Sequence, residues 1–278
     1  MLSDRSHPIN TAKLLRGIAK QFCPPVIRTI QSKFSKPLVA WSDPLTSWEA
    51  AAALCHGYDS DEIFNRVEEA TQAVFDGRAL YERDSVLFQE VEYSWPLLSS
   101  LMTVRAAQGK LHVVDFGGAL GSSYFQNKRF LDEISNVHWT VVEQKRFVDI
   151  GKKRFQGSIL RFSETIAAAS SIESIDVILF GSSLCYLPTP MEILSNTEEL
   201  RIPYLIFDRT PFITGPTNLY SAQFVREPIY TASYPCQLFS EVLFSERLDP
   251  TWRKIEAWTS DIQPSQKFTS KGGFYALR

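Results

Sequence analysis

The sequence predicts an α/β fold: a mostly parallel sheet of about seven strands with helices on both faces, behind a helical N-terminal portion. Three observations carry this. From Leu111 onward, short β-rich runs alternate with helical patterns at intervals of about 20 to 35 residues, the rhythm of βαβ units. The first run ends in a glycine turn that opens a helix. Before Leu111 the apolar spacing is helical.

In the first segment, residues 1–38, Leu14, Leu15, Ile18 and Phe22 fall at helical spacing until Pro24-Pro25 interrupts. Val26, Ile27, Ile30 and Phe34 resume it, with Pro25 suited to a first helical turn. From Met1 to Lys36 there are seven cations (Arg5, Lys13, Arg16, Lys20, Arg28, Lys33, Lys36) and one acid, Asp4. That local +6 leaves −8 for the rest of a chain whose net charge is −2. A basic amphipathic segment of this kind predicts a peripheral hold on an anionic bilayer at the inner face of the membrane; a dimer or domain-packing helix accounts for it equally.

Residues 39–110 read as a helical cap. Ser47–Leu54 and Ser60–Phe75 are helical patterns joined around Gly57-Tyr58, and Ser85–Ala107 is a longer one, bent at Pro96, with Leu97, Leu98, Leu101 and Val104 on its apolar face. Residues 111–278 form the α/β domain. Its strands are Leu111–Phe116, His138–Glu143, Ile159–Phe162, Ile175–Phe180 and Tyr204–Asp208, with helices at Ser122–Ile134, Lys145–Phe155 and Met191–Leu200. Strand-like runs at Trp252–Ala257 and Gly273–Ala276 close the sheet, one of them a candidate antiparallel strand.

Composition removes several classes. A chain of 278 residues, 44% hydrophobic and 22% charged, buries a full core, and no uninterrupted 18-residue apolar run marks a membrane span. Cys23, Cys55, Cys185 and Cys236 form no CxxC pair, and His7, His56, His112 and His138 are isolated, so no metal site is expected. A net charge of −2 gives no case for nucleic acid. The N-terminus lacks a signal-peptide layout, so the expected compartment is the cytoplasm.

Ligands of open α/β sheets sit beyond the carboxyl ends of the strands. Here the first strand ends in Asp115-Phe116-Gly117-Gly118-Ala119-Leu120-Gly121, which is not GxGxxG and carries an acid. A carboxylate there repels a pyrophosphate and suits the cationic amino-acid and sulfonium groups of S-adenosylmethionine. The next strand ends in Glu143, 28 residues after Asp115, where an acid can accept both ribose hydroxyls. Helix and turn capping by the same two acids remains the plainer account.

Tyr81-Glu82-Arg83-Asp84-Ser85-Val86-Leu87-Phe88, Tyr93-Ser94-Trp95-Pro96, the glycine turn with Ser122-Ser123-Tyr124-Phe125-Gln126-Asn127, Val142-Glu143-Gln144, Asp208-Arg209-Thr210-Pro211-Phe212 and Tyr234-Pro235-Cys236 occur together. From roughly Trp41 to the C-terminus this combination resembles a family of bacterial S-adenosylmethionine-dependent methyltransferases, often associated with surface-polysaccharide gene clusters. The resemblance implies a Rossmann-like class I methyltransferase sheet. It also implies a cofactor site at Asp115, Gly117, Gly118, Ala119, Gly121 and Glu143, with S-adenosylhomocysteine as product. One departure stands out: Ala119 occupies the place of the middle glycine, and a positive φ there would strain it.

Methyl transfer needs proximity, orientation and a dry site, sometimes with a base. After Phe180 the loop Gly181-Ser182-Ser183-Leu184-Cys185-Tyr186-Leu187-Pro188 is not the Asn/Asp-Pro-Pro-Tyr type that holds an exocyclic amine, which favours a hydroxyl acceptor on a small molecule or glycan. Ser182 and Ser183 are candidate cofactor contacts, and Tyr186 and Asp208 candidate catalytic groups; a buried Asp208–Arg209 pair is the structural alternative. Tyr81, Glu82, Arg83 and Asp84 are expected to close over the cofactor or substrate, with Arg209 and Tyr234 on the acceptor side. Cys236 is a further candidate lining residue. A non-catalytic adenosyl-binding scaffold and a nicotinamide oxidoreductase are the competing functional readings. The N-terminal reading predicts that the full chain floats with anionic liposomes and a chain lacking residues 1–38 does not; equal flotation would remove the membrane idea.

Overall fold

The computed structural model describes residues 38–56, 61–227, 229–260 and 267–278. The chain begins with β1 (Val39–Trp41), α1 (Trp48–Ala52) and α2 (Asp61–Phe75). β2 (Tyr81–Arg83), β3 (Val86–Phe88) and α3 (Trp95–Gln108) follow. Then strands and helices alternate: β4 (Leu111–Phe116), α4 (Ser122–Leu131), β5 (Val137–Val142), α5 (Lys145–Arg154), β6 (Leu160–Ser163), α6 (Ile166–Ile172), β7 (Val177–Gly181), α7 (Pro190–Glu199) and β8 (Tyr204–Ile213). The last elements are β9 (Leu219–Val225), β10 (Ala232–Ser240), α8 (Glu241–Leu248), β11 (Trp252–Thr259) and β12 (Thr269–Leu277).

The α/β class holds. Strands β6-β5-β4-β7-β8 pair in parallel in that order, so the order reverses between β4 and β7. β12 joins β8 antiparallel, and β11, antiparallel to β12, runs with the parallel set. Alternation along the strands sorts the core into two layers. Val113, Val141, Leu179 and Ile206 pack with side chains of α2, α3, α4 and α5, whereas Val114, Val142, Ile178 and Leu205 pack with α6, α7 and α8. Helices therefore cover both faces.

The sheet carries ten strands where the sequence indicated about seven. The additional ones are β1, β9 and β10. The end of β10 pairs with the end of β8 through Phe239↔Phe212 and Ser240↔Ile213, β9 folds back on β10, and β1 lies antiparallel on β9. This extension stands at the carboxyl end of the parallel strands and walls the cavity described below.

The expected helix Ser85–Ala107 is corrected. Val86–Phe88 is a strand, and Pro96 starts a helix rather than bending one, because it sits in the first turn of α3, where its missing N–H is no loss. Tyr81 to Phe88 instead makes a hairpin with Arg83 opposite Val86, and the two turn residues Asp84 and Ser85 have φ of 51° and 63°. A two-residue turn with both φ positive matches the twist of the flanking strands. Residues 39–110 thus hold three strands as well as α1, α2 and α3. Residues 1–37 of the basic segment and the joint at Gly57-Tyr58 lie outside the described residues. Among the described residues no helix is long and apolar enough to cross a membrane.

Gly151 shows how tightly α5 packs on β6. A Cβ there would lie 2.5 Å from the Phe162 ring. Gly151→Ala should therefore cost about 1–3 kcal/mol of stability in urea melts, since an overpacked core must shift backbone or ring. Unchanged stability would show that the helix sits farther out.

Candidate functional site

The turn after β4 is shaped by close approaches. Gly117 has φ 71°, its N–H donates to the Val142 carbonyl at 2.9 Å, and a Cβ on it would lie 2.6 Å from Ser183 Cβ. At Gly118 a Cβ would lie 2.6 Å from the Asp115 carboxyl carbon. Gly121, at φ 100°, caps the start of α4. Ala119 does adopt a positive φ, 51°, a backbone conformation that costs an L-residue about 1–2 kcal/mol.

The turn opens on a cavity of about 970 Å³ at the carboxyl ends of the parallel strands. Of the seven described non-glycine residues with positive φ, five line it: Asp84, Ser85, Ala119, Ser182 and Arg209. Backbone strain concentrated in one place marks a site where geometry is held for a purpose.

Most candidate residues converge here. Gly117, Gly118, Ala119, Glu143, Ser182 and Ser183 line one part. Glu143 stands level with the glycine turn, because Phe116 is in register with Val142. Its carboxylate accepts the N–H of Gln144 at 2.6 Å and that of Ala119, and burial pushes its pKa up. Glu82, Arg83, Asp84, Tyr186, Arg209 and Tyr234 line the rest.

Two expectations require correction. Asp115 does not line the cavity. It is 1% exposed, lies beneath the turn against Gly118, and accepts a hydrogen bond from Trp139 Nε1 at 3.2 Å. Burial raises its pKa to about 7. A carboxyl group so enclosed shapes the turn. Asp208 is also off the cavity. Its Oδ1 accepts from Trp258 Nε1 at 3.0 Å and from Ser260 Oγ at 3.1 Å, so it ties β8 to β11 rather than acting as a base.

Tyr81, Gly121 and Cys236 also lie outside the lining. Tyr81 is buried and stacks on Phe88 at 4.6 Å, and Cys236 is buried beside Cys185. Tyr186 lines the cavity, but its hydroxyl donates to Gln223 Oε1 at 2.7 Å and burial raises its pKa well above the ordinary value. As a base it is therefore unsuited. Tyr230 and Tyr234, with hydroxyls 3.4 Å apart, and Trp41 and Phe268, with rings 4.9 Å apart, give the far wall its aromatic character.

The role of α4 was not read from the sequence. Ser122 Oγ donates to Glu82, which also accepts the Ser85 N–H at 3.0 Å, and Gln126 donates to the Glu92 carbonyl. The Ser122 bond holds the β2–β3 hairpin to the start of α4, and the Gln126 bond holds the segment that follows the hairpin. Burial raises the Glu82 pKa to about 7. The available signal was polar residues at one helical spacing (Ser122, Ser123, Gln126, Asn127) on a face that must be buried. Glu164, which follows β6 and lines the cavity, was also missed.

No protein-family model matches the sequence, and no curated protein matches it. Some solved structures are distantly similar to it. Burkholderia thailandensis 1,6-didemethyltoxoflavin-N1-methyltransferase, bound to 1,6-didemethyltoxoflavin and S-adenosylhomocysteine, is similar at 15% identity over 88% of this chain and 97% of that one, with a TM-score of 0.44. The N-terminal domain of EvdMO1, solved with S-adenosylhomocysteine and D-fucose, is similar at 14% identity over 79% of this chain and all of that one, TM-score 0.45. CalS10, an amino pentose methyltransferase from Micromonospora echinaspora, gives 11% identity over 73% and 95%, TM-score 0.39. These likenesses are distant, and the reading of the site rests on its own residues.

The enclosure of Asp115 has a pH signature. A carboxyl whose pKa rises on folding stabilises the fold below its unfolded value and loses that contribution as pH climbs to the folded one. Relative to Asp115→Asn, the melting temperature of the protein should fall between pH 3.8 and about 7 and then level off. A difference independent of pH would mean that the carboxyl is solvated.

Proposed function

We propose that the chain is an S-adenosylmethionine-dependent methyltransferase acting on a small-molecule or glycan acceptor. The observation that carries this is the convergence of a strained glycine turn, Glu143 and the Ser182-Ser183 loop on one cavity at the strand-order reversal.

The residues present fit an adenosyl ligand. Glu143 offers carboxylate oxygens to a ribose diol, and Glu164, at the next strand end, offers an acceptor to an exocyclic amine. Ser183 Oγ is buried, lines the cavity and has no hydrogen-bond partner among the described residues, as a group waiting for a ligand would be. S-Adenosylmethionine supplies a methyl group already activated by its sulfonium. The chain's own contribution is to orient and to exclude water. The β2–β3 hairpin, pinned by Glu82 to Ser122, roofs the turn, while Tyr186, Tyr230, Tyr234 and Trp41 offer an apolar chamber for the acceptor. The volume of about 970 Å³ is at the upper end for ligand pockets, consistent with two ligands side by side.

A hydroxyl acceptor, a place in surface-polysaccharide synthesis and a cytoplasmic location at the inner membrane face complete this reading; they derive from the motif resemblance, the loop after β7 and the basic segment. The second reading, a non-catalytic adenosyl-binding scaffold, draws on the commitment of Tyr186 to Gln223 and of Asp208 to Trp258 and Ser260.

Calorimetry with S-adenosylmethionine, S-adenosylhomocysteine and NAD separates the readings, followed by mass spectrometry of cell extract given labelled methyl donor. Tight adenosyl binding with labelled product is expected; binding of NAD alone would sink the proposal, and adenosyl binding without product would favour the scaffold. Glu143→Ala should weaken S-adenosylhomocysteine by about 1–3 kcal/mol, the loss of charged hydrogen bonds.

A further inference from the structure

Two guanidinium groups line the cavity, and each has a buried N–H donor with no hydrogen-bond partner among the described residues. Arg83, at the end of β2, lines it from the roof, and its Nη1 is buried with no hydrogen-bond partner among the described residues. Arg209 lines it from the floor. Its Nη2 donates to the Gly181 carbonyl at 3.2 Å, while its Nε is buried and unpartnered among the described residues. The nearest carboxylate oxygen to that Nε, Asp208 Oδ2, is 3.9 Å away, outside hydrogen-bond range.

The neighbouring acids are largely committed. Asp208 Oδ1 serves Trp258 and Ser260 while its Oδ2 makes only the loose ion pair with Arg209, Asp115 serves Trp139, and Glu82 serves Ser122 and the Ser85 N–H. Asp84 sits exposed in the hairpin turn. Arg83 is pushed below its ordinary pKa by burial and then by the charge of Arg209, which the charges of Asp84 and Asp208 only partly offset. Other arginines of the chain pair closely with acids. Arg247 makes a two-pronged contact with Glu198 at 2.7 and 2.9 Å, and Arg146 bonds Asp61 at 2.5 Å. Arg209 is also held at φ 55°. Burying a guanidinium with a donor unmet and only a loose ion pair to Asp208, on a strained backbone and beside a second cation, is costly in the free protein, and an arriving anion would offset that cost.

We infer that Arg83 and Arg209 form an oxyanion subsite that grips a carboxylate or phosphate group of a ligand between hairpin and sheet. The planar fork of each guanidinium matches either group. Under the methyltransferase reading, on which the identity of the occupant rests, two sources share this chemistry: the amino-acid carboxylate of the cofactor and an acid group on the acceptor, such as that of a uronic acid or a phosphorylated sugar.

Binding of inorganic phosphate, S-adenosylhomocysteine and 5′-methylthioadenosine, which lacks the amino-acid carboxylate, is measured on the full chain and on Arg83→Met and Arg209→Met. The subsite predicts that both variants lose at least about tenfold in affinity for phosphate. A parallel loss for S-adenosylhomocysteine but not for 5′-methylthioadenosine assigns the subsite to the cofactor's carboxylate; unchanged binding of both adenosyl ligands assigns it to the acceptor. Should Arg209→Met fail to fold, Arg209→Lys keeps the charge without the fork and should still lose phosphate. Unaltered affinity for phosphate and for S-adenosylhomocysteine in every variant overturns the inference. Phosphate binding through these arginines in a chain that binds no adenosyl ligand would end the methyltransferase reading and leave the subsite standing.

Discussion

The site depends on one steric fact: the Asp115 carboxyl occupies the space that a side chain at position 118 would need. Because Gly118 has none, the chain can turn sharply over the end of β4. Gly117 can then press against Ser183, and Gly121 can start α4 at the cavity rim. Trp139 Nε1 fixes the carboxyl from below, which sets the height of the turn. Ser122, the first residue of α4, is thereby brought to Glu82, and the hairpin closes over the opening. Each later contact inherits its position from that single close approach.

Closure has an electrostatic consequence. Asp115 and Glu82 are both held where burial favours the neutral acid, and Arg83 where burial disfavours the cation. A region that resists charge in this way magnifies any charge a ligand brings, since the screening that water would provide is reduced. The two acids meet that environment with internal hydrogen bonds. The two arginines meet it with donors still open. This asymmetry distinguishes groups that build the site from groups that wait for something to enter it.

Much of the sheet was legible because its strands are short, apolar and separated by glycine or capping signals. β4, β5, β7 and β8 were found from Leu111, His138, Ile175 and Tyr204 onward, and Glu143 from its place at a strand end. The orientation of Asp115 was legible in principle. It shares parity with Val113, which faces the layer of α3, α4 and α5, so its carboxyl had to point under the turn rather than off the tip. Asp208 shares parity with Ile206 in the same way. What sequence spacing could not give was the hairpin Tyr81–Phe88. Strands of three residues show too little alternation to stand out from the longer helical pattern that follows Pro96. The β9–β10 extension was hidden because its pairing with β8 involves only Phe212 and Ile213.

That extension explains why the cavity is larger than a nucleoside alone requires. The parallel strands supply the polar end, where Glu143, Glu164 and Ser183 stand. β1, β9 and β10 supply an opposite wall of Trp41, Gln223, Val225 and Tyr234, to which Tyr186 is hydrogen-bonded through Gln223. Lys267 braces this wall by bonding the carbonyls of Trp41 and Ser42 at 3.2 and 2.7 Å. Polar groups at one end and aromatic faces at the other suit two ligands of different character, and Arg209 stands where the two halves meet, at the end of β7 and in the middle of β8. An anion held there would be in place to set the distance between them.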